Sequence, residues 1–168
     1  PTMNRSLTNR TKRRLVRSVG AALTGLVLVA LVGCGTFGGA TASDEVVLGA
    51  IVPATGPVYE WGKSNTAILK MLEKEVNDQG GVNGKKLRII IYDSGAQPVE
   101  AANPVRKLAT KDGALAILGA FTSSEAEVAF PVANLLKIPI TAQASSKPGV
   151  AGKNRPWAFR NTIDESVY

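Results

Sequence analysis

The sequence predicts an α/β protein built on a doubly wound parallel sheet. Apolar runs alternate with amphipathic stretches along residues 46–168, and short loops join them. The first run, "VVLGAIVP", is apolar almost without a break, as a strand covered on both faces is. In such a sheet ligands sit beyond the carboxyl ends of the strands, so the loops that follow strands are the places to look for function.

Val46–Pro53 is the first strand. Ala67, Ile68, Met71, Leu72 and Val76 then recur at helical spacing, which predicts a helix with that face inward and Lys70, Glu73, Lys74 and Glu75 mostly off it. "DQGGVNGKK" ends the helix and turns the chain. "KLRIIIYD" is the second strand. Pro98 fits the first turn of a second helix that passes Val105, Leu108 and Ala109 and ends near Lys111, with Pro104 interrupting or kinking it. "ALAILGAF" is the third strand, and Ala126, Ala129, Phe130 and Ala133 define a third helix that Pro131 should bend. "IPITA" supplies a fourth strand and "PWAFRNT" a fifth.

Three hydroxyls, Thr122, Ser123 and Ser124, stand where the third strand hands over to the third helix. Thr122 with Glu125, and Ser124 with Glu127, have the spacing of a capping box, in which side chains satisfy the first free N–H groups of a helix. One box starts a helix. The spare hydroxyls and free N–H groups at the positive end of a helix dipole also suit a carboxylate or phosphate, and these residues leave both roles open.

The formal charge of +7 does not indicate a nucleic-acid partner. Arg5, Arg10, Lys12, Arg13, Arg14 and Arg17 lie before residue 34 in a segment without acidic residues, leaving 14 of the 20 basic side chains to face all 13 acidic ones. That segment has the parts of a secretory signal over residues 3–33: a basic start after Met3, an apolar stretch from Val19 to Val32, and small residues at its end. Pro1 and Thr2 lie upstream of the expected start. The apolar stretch falls short of the about 20 residues that a spanning helix needs. Its end, Leu31-Val32-Gly33-Cys34, resembles a bacterial lipobox, which implies cleavage before Cys34 and lipid on that sole cysteine. The Gly-, Thr-, Ser- and Ala-rich residues 34–45 then read as a flexible tether.

A single cysteine rules out an internal disulfide, and the lack of histidine excludes Ser-His and Cys-His nucleophiles and histidine metal sites from this sequence. "GAIVPATGPVYEWGKS" holds neither phosphate-loop pattern. The spacing from Gly56 to Gly62-Lys63-Ser64 is one residue off, and Pro57 removes an N–H that a phosphate cradle would use. Asp93 and Asp164 have no partner base, so turn or surface roles are expected, and Lys147 and Lys153 are expected to be solvated.

Five segments in order resemble the extracytoplasmic solute-binding proteins of ABC importers, of the branched-chain amino-acid or leucine-binding type. They are "TGPVYEWGKS", "NDQGGVNGKKLRIIIYD", "ILGAFTSSEA", "PITAQASS" and "AFRNTIDES". The resemblance implies a type I periplasmic-binding-protein fold, a two-lobed clamshell of which residues 46–168 supply the first lobe only, incomplete. It implies that Ser123 binds a ligand α-carboxylate by side chain and backbone, that Ser145 matches a hydroxyl position, and that Gln143 offers a backbone carbonyl to the α-amino group. Trp61 takes the place of an aromatic wall, with core or rim packing as its other reading, and Phe121 and Thr122 flank the site. Gln143 is bulkier than the small residue often found there, so the ligand need not be a branched aliphatic.

The expected function is capture of an amino acid or similar small zwitterion by a lipid-anchored exported protein that hands it to an ABC permease. No bond chemistry, cofactor, metal or nucleic acid is expected, and the membrane is met through lipid on Cys34. A sensory ligand-binding domain of the same fold is the alternative, and an enzyme on a doubly wound sheet the third reading.

Overall fold

The computed structural model describes residues 45–167. The signal sequence over 3–33, the lipidation site at Cys34 and all of the tether but Glu45 lie outside the described residues. Five parallel strands are β1 (Glu45–Val52), β2 (Lys86–Asp93), β3 (Ile117–Leu118), β4 (Ile140–Ala142) and β5 (Ala158–Arg160), in the order β2-β1-β3-β4-β5. Helices α1 (Tyr59–Asp78), α2 (Ala102–Thr110) and α3 (Ser123–Leu136) connect the first four. The order reverses at β1, with β2 on one side and β3 on the other, which opens a crevice between the loops after β1 and β3.

Both faces of the sheet are covered, as the apolar first strand requires. Ile51 packs with Val105 and Leu108 of α2, Phe130 of α3, Ile117 and Ile140 on one face. Ala50 and Val52, one residue to either side of Ile51, pack with Leu69 of α1 on the other. Glu45 pairs with Lys86, so β1 begins one residue earlier than the apolar run and takes in the last residue assigned to the tether.

Helix α1 turns a different side inward from the one its apolar residues predict. Ile68, Met71 and Leu72 are exposed, whereas Gly62 and Leu69 are buried. Two contacts fix this orientation. A Cβ on Gly62 would stand 2.0 Å from the Pro53 carbonyl oxygen, so only glycine lets the helix lie so close to the end of β1. Farther along, Glu73 Oε2 accepts the Ile89 N–H at 2.6 Å, and Asn77 accepts from the Leu87 N–H at 2.7 Å while donating to its carbonyl at 2.8 Å. These polar side chains occupy the open edge of β2 and satisfy backbone groups that a terminal strand leaves unpaired.

The remaining departures are local. A 3-10 turn at Pro98–Glu100 precedes α2, so the break falls at Ala101 and Pro104 sits in the first turn, where its missing N–H has no helical partner to lose. Helix α3 runs through Pro131, which lies on its exposed side where water can reach the freed Glu127 carbonyl. The third strand is shorter than its apolar run because Gly119, at φ +129°, turns the chain out of extended backbone. A Cβ there would meet the Ile51 carbonyl oxygen at 2.5 Å.

Gly119→Ala is expected to lower stability by at least about 2 kcal/mol, through both strain and collision with backbone. Gly152→Ala, at an ordinary φ with nothing within 4 Å of the new methyl, should stay within about 0.5 kcal/mol of the parent. Urea midpoints of the two variants check the contrast.

Candidate functional site

The loops after β1, β3 and β4 converge at the carboxyl end of the sheet. Gln143 N–H donates to the Ala120 carbonyl and Ala144 N–H to that of Phe121, both at 3.3 Å, so the chain leaving β4 runs beside the chain leaving β3. From α1, the Trp61 ring reaches Phe121 with centroids 6.2 Å apart. Asn65, one turn farther along the same helix, donates through Nδ2 to Gln143 Oε1 at 2.9 Å.

At the start of α3 the hydroxyls divide their work. Thr122 is the N-cap: its Oγ accepts the Glu125 N–H at 3.3 Å, and Glu125 Oε2 accepts the Thr122 N–H at 2.8 Å and the Thr122 hydroxyl at 2.7 Å. Of the two boxes that the spacing offers, this one forms. Ser124 Oγ stands 3.2 Å from Thr122 Oγ, and Glu127 instead meets Lys147 Nζ. Glu125 is fully buried, and its Oε1 has no hydrogen-bond partner among the described residues.

Ser123 is left for other use. Its Oγ accepts from the buried Ser145 hydroxyl and from the Lys147 N–H, both at 3.3 Å. Its own O–H remains free to donate, and the N–H groups of Ser123 and Ser124 have no acceptor among the described residues. One O–H and two N–H donors at the positive end of a helix form a cradle for a carboxylate.

The loop that brings Ser145 and Lys147 to this point is held by the segment after β5. Thr162 donates to the Ser145 carbonyl at 2.6 Å, the Glu165 N–H to that of Ser146 at 3.0 Å, and Arg160 to the Ser146 and Lys147 carbonyls at 3.2 and 2.9 Å. Arg160 also pairs with Asp164, whose carboxyl lies below the usual carboxylate range because the Ser166 hydroxyl and N–H, and then Arg160, favour its charged form. On the other side of the crevice, burial pushes the Asp93 carboxyl up, but the Thr55 hydroxyl and the N–H groups of Gly95, Thr55 and Ala54 outweigh it and hold the group low. Each lowered carboxyl adds stability above the ordinary carboxylate pKa and loses it as pH falls through the folded value, so both braces loosen in acid.

All six expected ligand residues therefore lie at this corner: Phe121, Thr122, Gln143 and Ser145 on the converging loops, Ser123 at the start of α3 and Trp61 in the first turn of α1. Thr122 is committed to capping. Trp61 is 64% exposed beside Phe121, so it is not a core residue. Lys147 is paired rather than only solvated. Gly62, Lys63 and Ser64 lie inside α1. Asn65, Arg160 and Thr162 carry no sequence pattern that singles them out, because their partners are 78, 14 and 17 residues away.

A family described as periplasmic binding protein matches residues 45–166. The leucine-, isoleucine-, valine-, threonine-, and alanine-binding protein of Pseudomonas aeruginosa is 27% identical over 119 residues, 71% of this chain and 32% of its own length. Leu/Ile/Val-binding protein homolog 1 of Brucella abortus is 37% identical over 100 residues, 60% of this chain and 26% of its own length. The chain thus spans about a quarter to a third of the length of these curated relatives. Among solved structures, a branched-chain amino acid transporter substrate binding protein of Streptococcus pneumoniae, in complex with isoleucine, superposes with a TM-score of 0.68 at 21% identity, over 73% of this chain and 35% of that one. That likeness is one of fold.

Thr122→Ala removes the N-cap and one donor to a buried carboxylate, and is expected to lower stability by about 1–3 kcal/mol. Ser124→Ala, at an exposed hydroxyl, should stay within about 0.5 kcal/mol. Equal urea midpoints for the two variants would mean that the buried box contributes nothing.

Proposed function

Since the chain belongs to the periplasmic binding protein family, in its branched-chain amino-acid-binding type and type I fold, we propose that it is the first lobe of an exported protein that captures an amino acid for an ABC permease. The observation that carries this reading is the Ser123 cradle, where a free hydroxyl and two free N–H groups face outward at a helix N-terminus. A ligand α-carboxylate accepts those donors, and Ser145 orients the Ser123 hydroxyl by occupying its lone pair. Phe121 and Trp61 wall the site, and the carbonyl of Gln143 receives the α-amino group. A second lobe closes over the ligand by hinge motion, and the closed form is what the permease recognises. No bond is made or broken, so no catalytic residue is assigned.

The relatives named above support this reading in kind, since their names describe amino-acid binding. The signal over 3–33 supports export, and the lipobox supports tethering at the outer face of the cell membrane through Cys34, with residues 34–45 as the spacer.

Ser123→Ala in the full-length protein is expected to weaken amino-acid binding by about 1–3 kcal/mol, the cost of losing a hydrogen bond to a charged group. Calorimetry against a panel of L-amino acids reads the change, and an unaltered affinity returns Ser123 to a structural role. Cys34→Ser is expected to move the protein from the membrane to the soluble fraction. Retention of that variant on membranes counts against the lipid anchor.

A further inference from the structure

A polar side-chain bridge joins α1 to the loop after β4. Asn65 Nδ2 donates to Gln143 Oε1 at 2.9 Å, and both residues are half-buried. That single bond uses one N–H of Asn65 and one lone pair of Gln143. Two N–H groups on Gln143, one on Asn65 and the Asn65 Oδ1 remain without partners among the described residues. The bridge lies on the same face of α1 as Trp61, and Gln143 stands two residues before Ser145, at most about 7 Å along an extended chain. The bridge therefore lies on the same loop as the Ser145 hydroxyl that meets Ser123, within reach of the side chain of a ligand whose carboxylate rests on Ser123.

We propose that Asn65 and Gln143 are specificity-determining residues that select an amino acid with a neutral, hydrogen-bonding side chain, a carboxamide above all, over a branched aliphatic one. The proposal rests on the reading of Ser123 as the carboxylate site. A carboxamide offers one carbonyl to the surplus N–H groups and one NH2 to Asn65 Oδ1, so it pairs with both kinds of free group. An aliphatic side chain closed over the bridge strips water from the same groups and gives nothing back, and that asymmetry is what discriminates. A side-chain carboxylate fits less well. Lys147 and Arg160, the cations that brace the Ser123 loop, are paired with Glu127 and Asp164, so neither is free to meet a second negative charge.

The test is calorimetric titration of the full-length protein with L-glutamine, L-asparagine, L-glutamate, L-leucine, L-isoleucine and L-valine, on the parent and on Asn65→Ala, Gln143→Ala and Ser123→Ala. The expected result is that glutamine or asparagine binds the parent at least tenfold more tightly than leucine, isoleucine, valine or glutamate. Asn65→Ala and Gln143→Ala should level or reverse that preference against the aliphatic ligands while amino-acid binding persists. Tighter binding of an aliphatic ligand or of glutamate by the parent overturns the proposal, and that comparison does not depend on any variant folding. A preference unmoved in both alanine variants overturns it as well. In either case a loss of affinity for every ligand in Ser123→Ala keeps the carboxylate site standing alone. If no amino acid binds the parent, the underlying reading falls and the specificity proposal falls with it.

Discussion

The candidate site depends on one buried carboxylate. Glu125 enters the core without a cation, and its Oε2 is held by the hydroxyl and the N–H of Thr122. Burying a charged or polar group costs free energy unless donors replace its water, so the geometry of residues 122–125 is tightly constrained. The constraint assigns the hydroxyls. Thr122 donates to Glu125 and accepts its N–H, which leaves it no donor for a ligand, while Ser123, one residue on, points to the Ser145 loop with its own proton unused. Capping and ligand binding are therefore not competing explanations of the hydroxyl cluster. The cap is what makes the neighbouring serine available.

Helix α1 ties this corner to the rest of the sheet by working at both ends. Its second half covers the free edge of β2 with Glu73 and Asn77, and its first half presents Trp61 and Asn65 to the loops after β3 and β4. Gly62, beside Trp61 in the first half, permits the close approach to Pro53 that lets one rigid helix serve both. The wall of the candidate site is thereby built on the same element that closes the sheet edge.

The sheet was legible in the sequence because burial on two faces writes itself as continuous apolar runs, and every strand falls where such a run lies. The inward side of α1 was not legible. Ile68, Met71 and Leu72 form the apolar stripe, yet the helix turns Glu73 and Asn77 inward because edge backbone groups accept and donate hydrogen bonds that an apolar face cannot supply. Strand and helix limits near Ala101 and Gly119 were likewise hidden, since they follow from chain reversal and from contact with Ile51, which local composition does not encode. In the candidate site, the residues named by the family resemblance lie close together, but their division of labour does not follow from it. Asn65, Thr162 and Arg160 act through partners distant in sequence, and only the folded chain pairs them.

The brace after β5 fixes the shape of the candidate site without lending it a charge. Arg160 and Thr162 fix the carbonyls of Ser145, Ser146 and Lys147, so the N–H of Lys147 and the hydroxyl of Ser145 approach Ser123 from a set direction. Lys147 and Arg160, which brace the Ser123 loop, are paired with protein carboxylates. The donors that converge on Ser123 are neutral groups and a helix terminus, so the proposed zwitterion would meet no full positive charge there. Pre-set neutral donors lower the ordering cost of binding, and on the proposed reading the lack of an ion pair to the carboxylate would keep the first lobe from holding a ligand too tightly alone. Under the proposed function, tight capture would require the second lobe to close, which would link affinity to a conformational change that a permease could read.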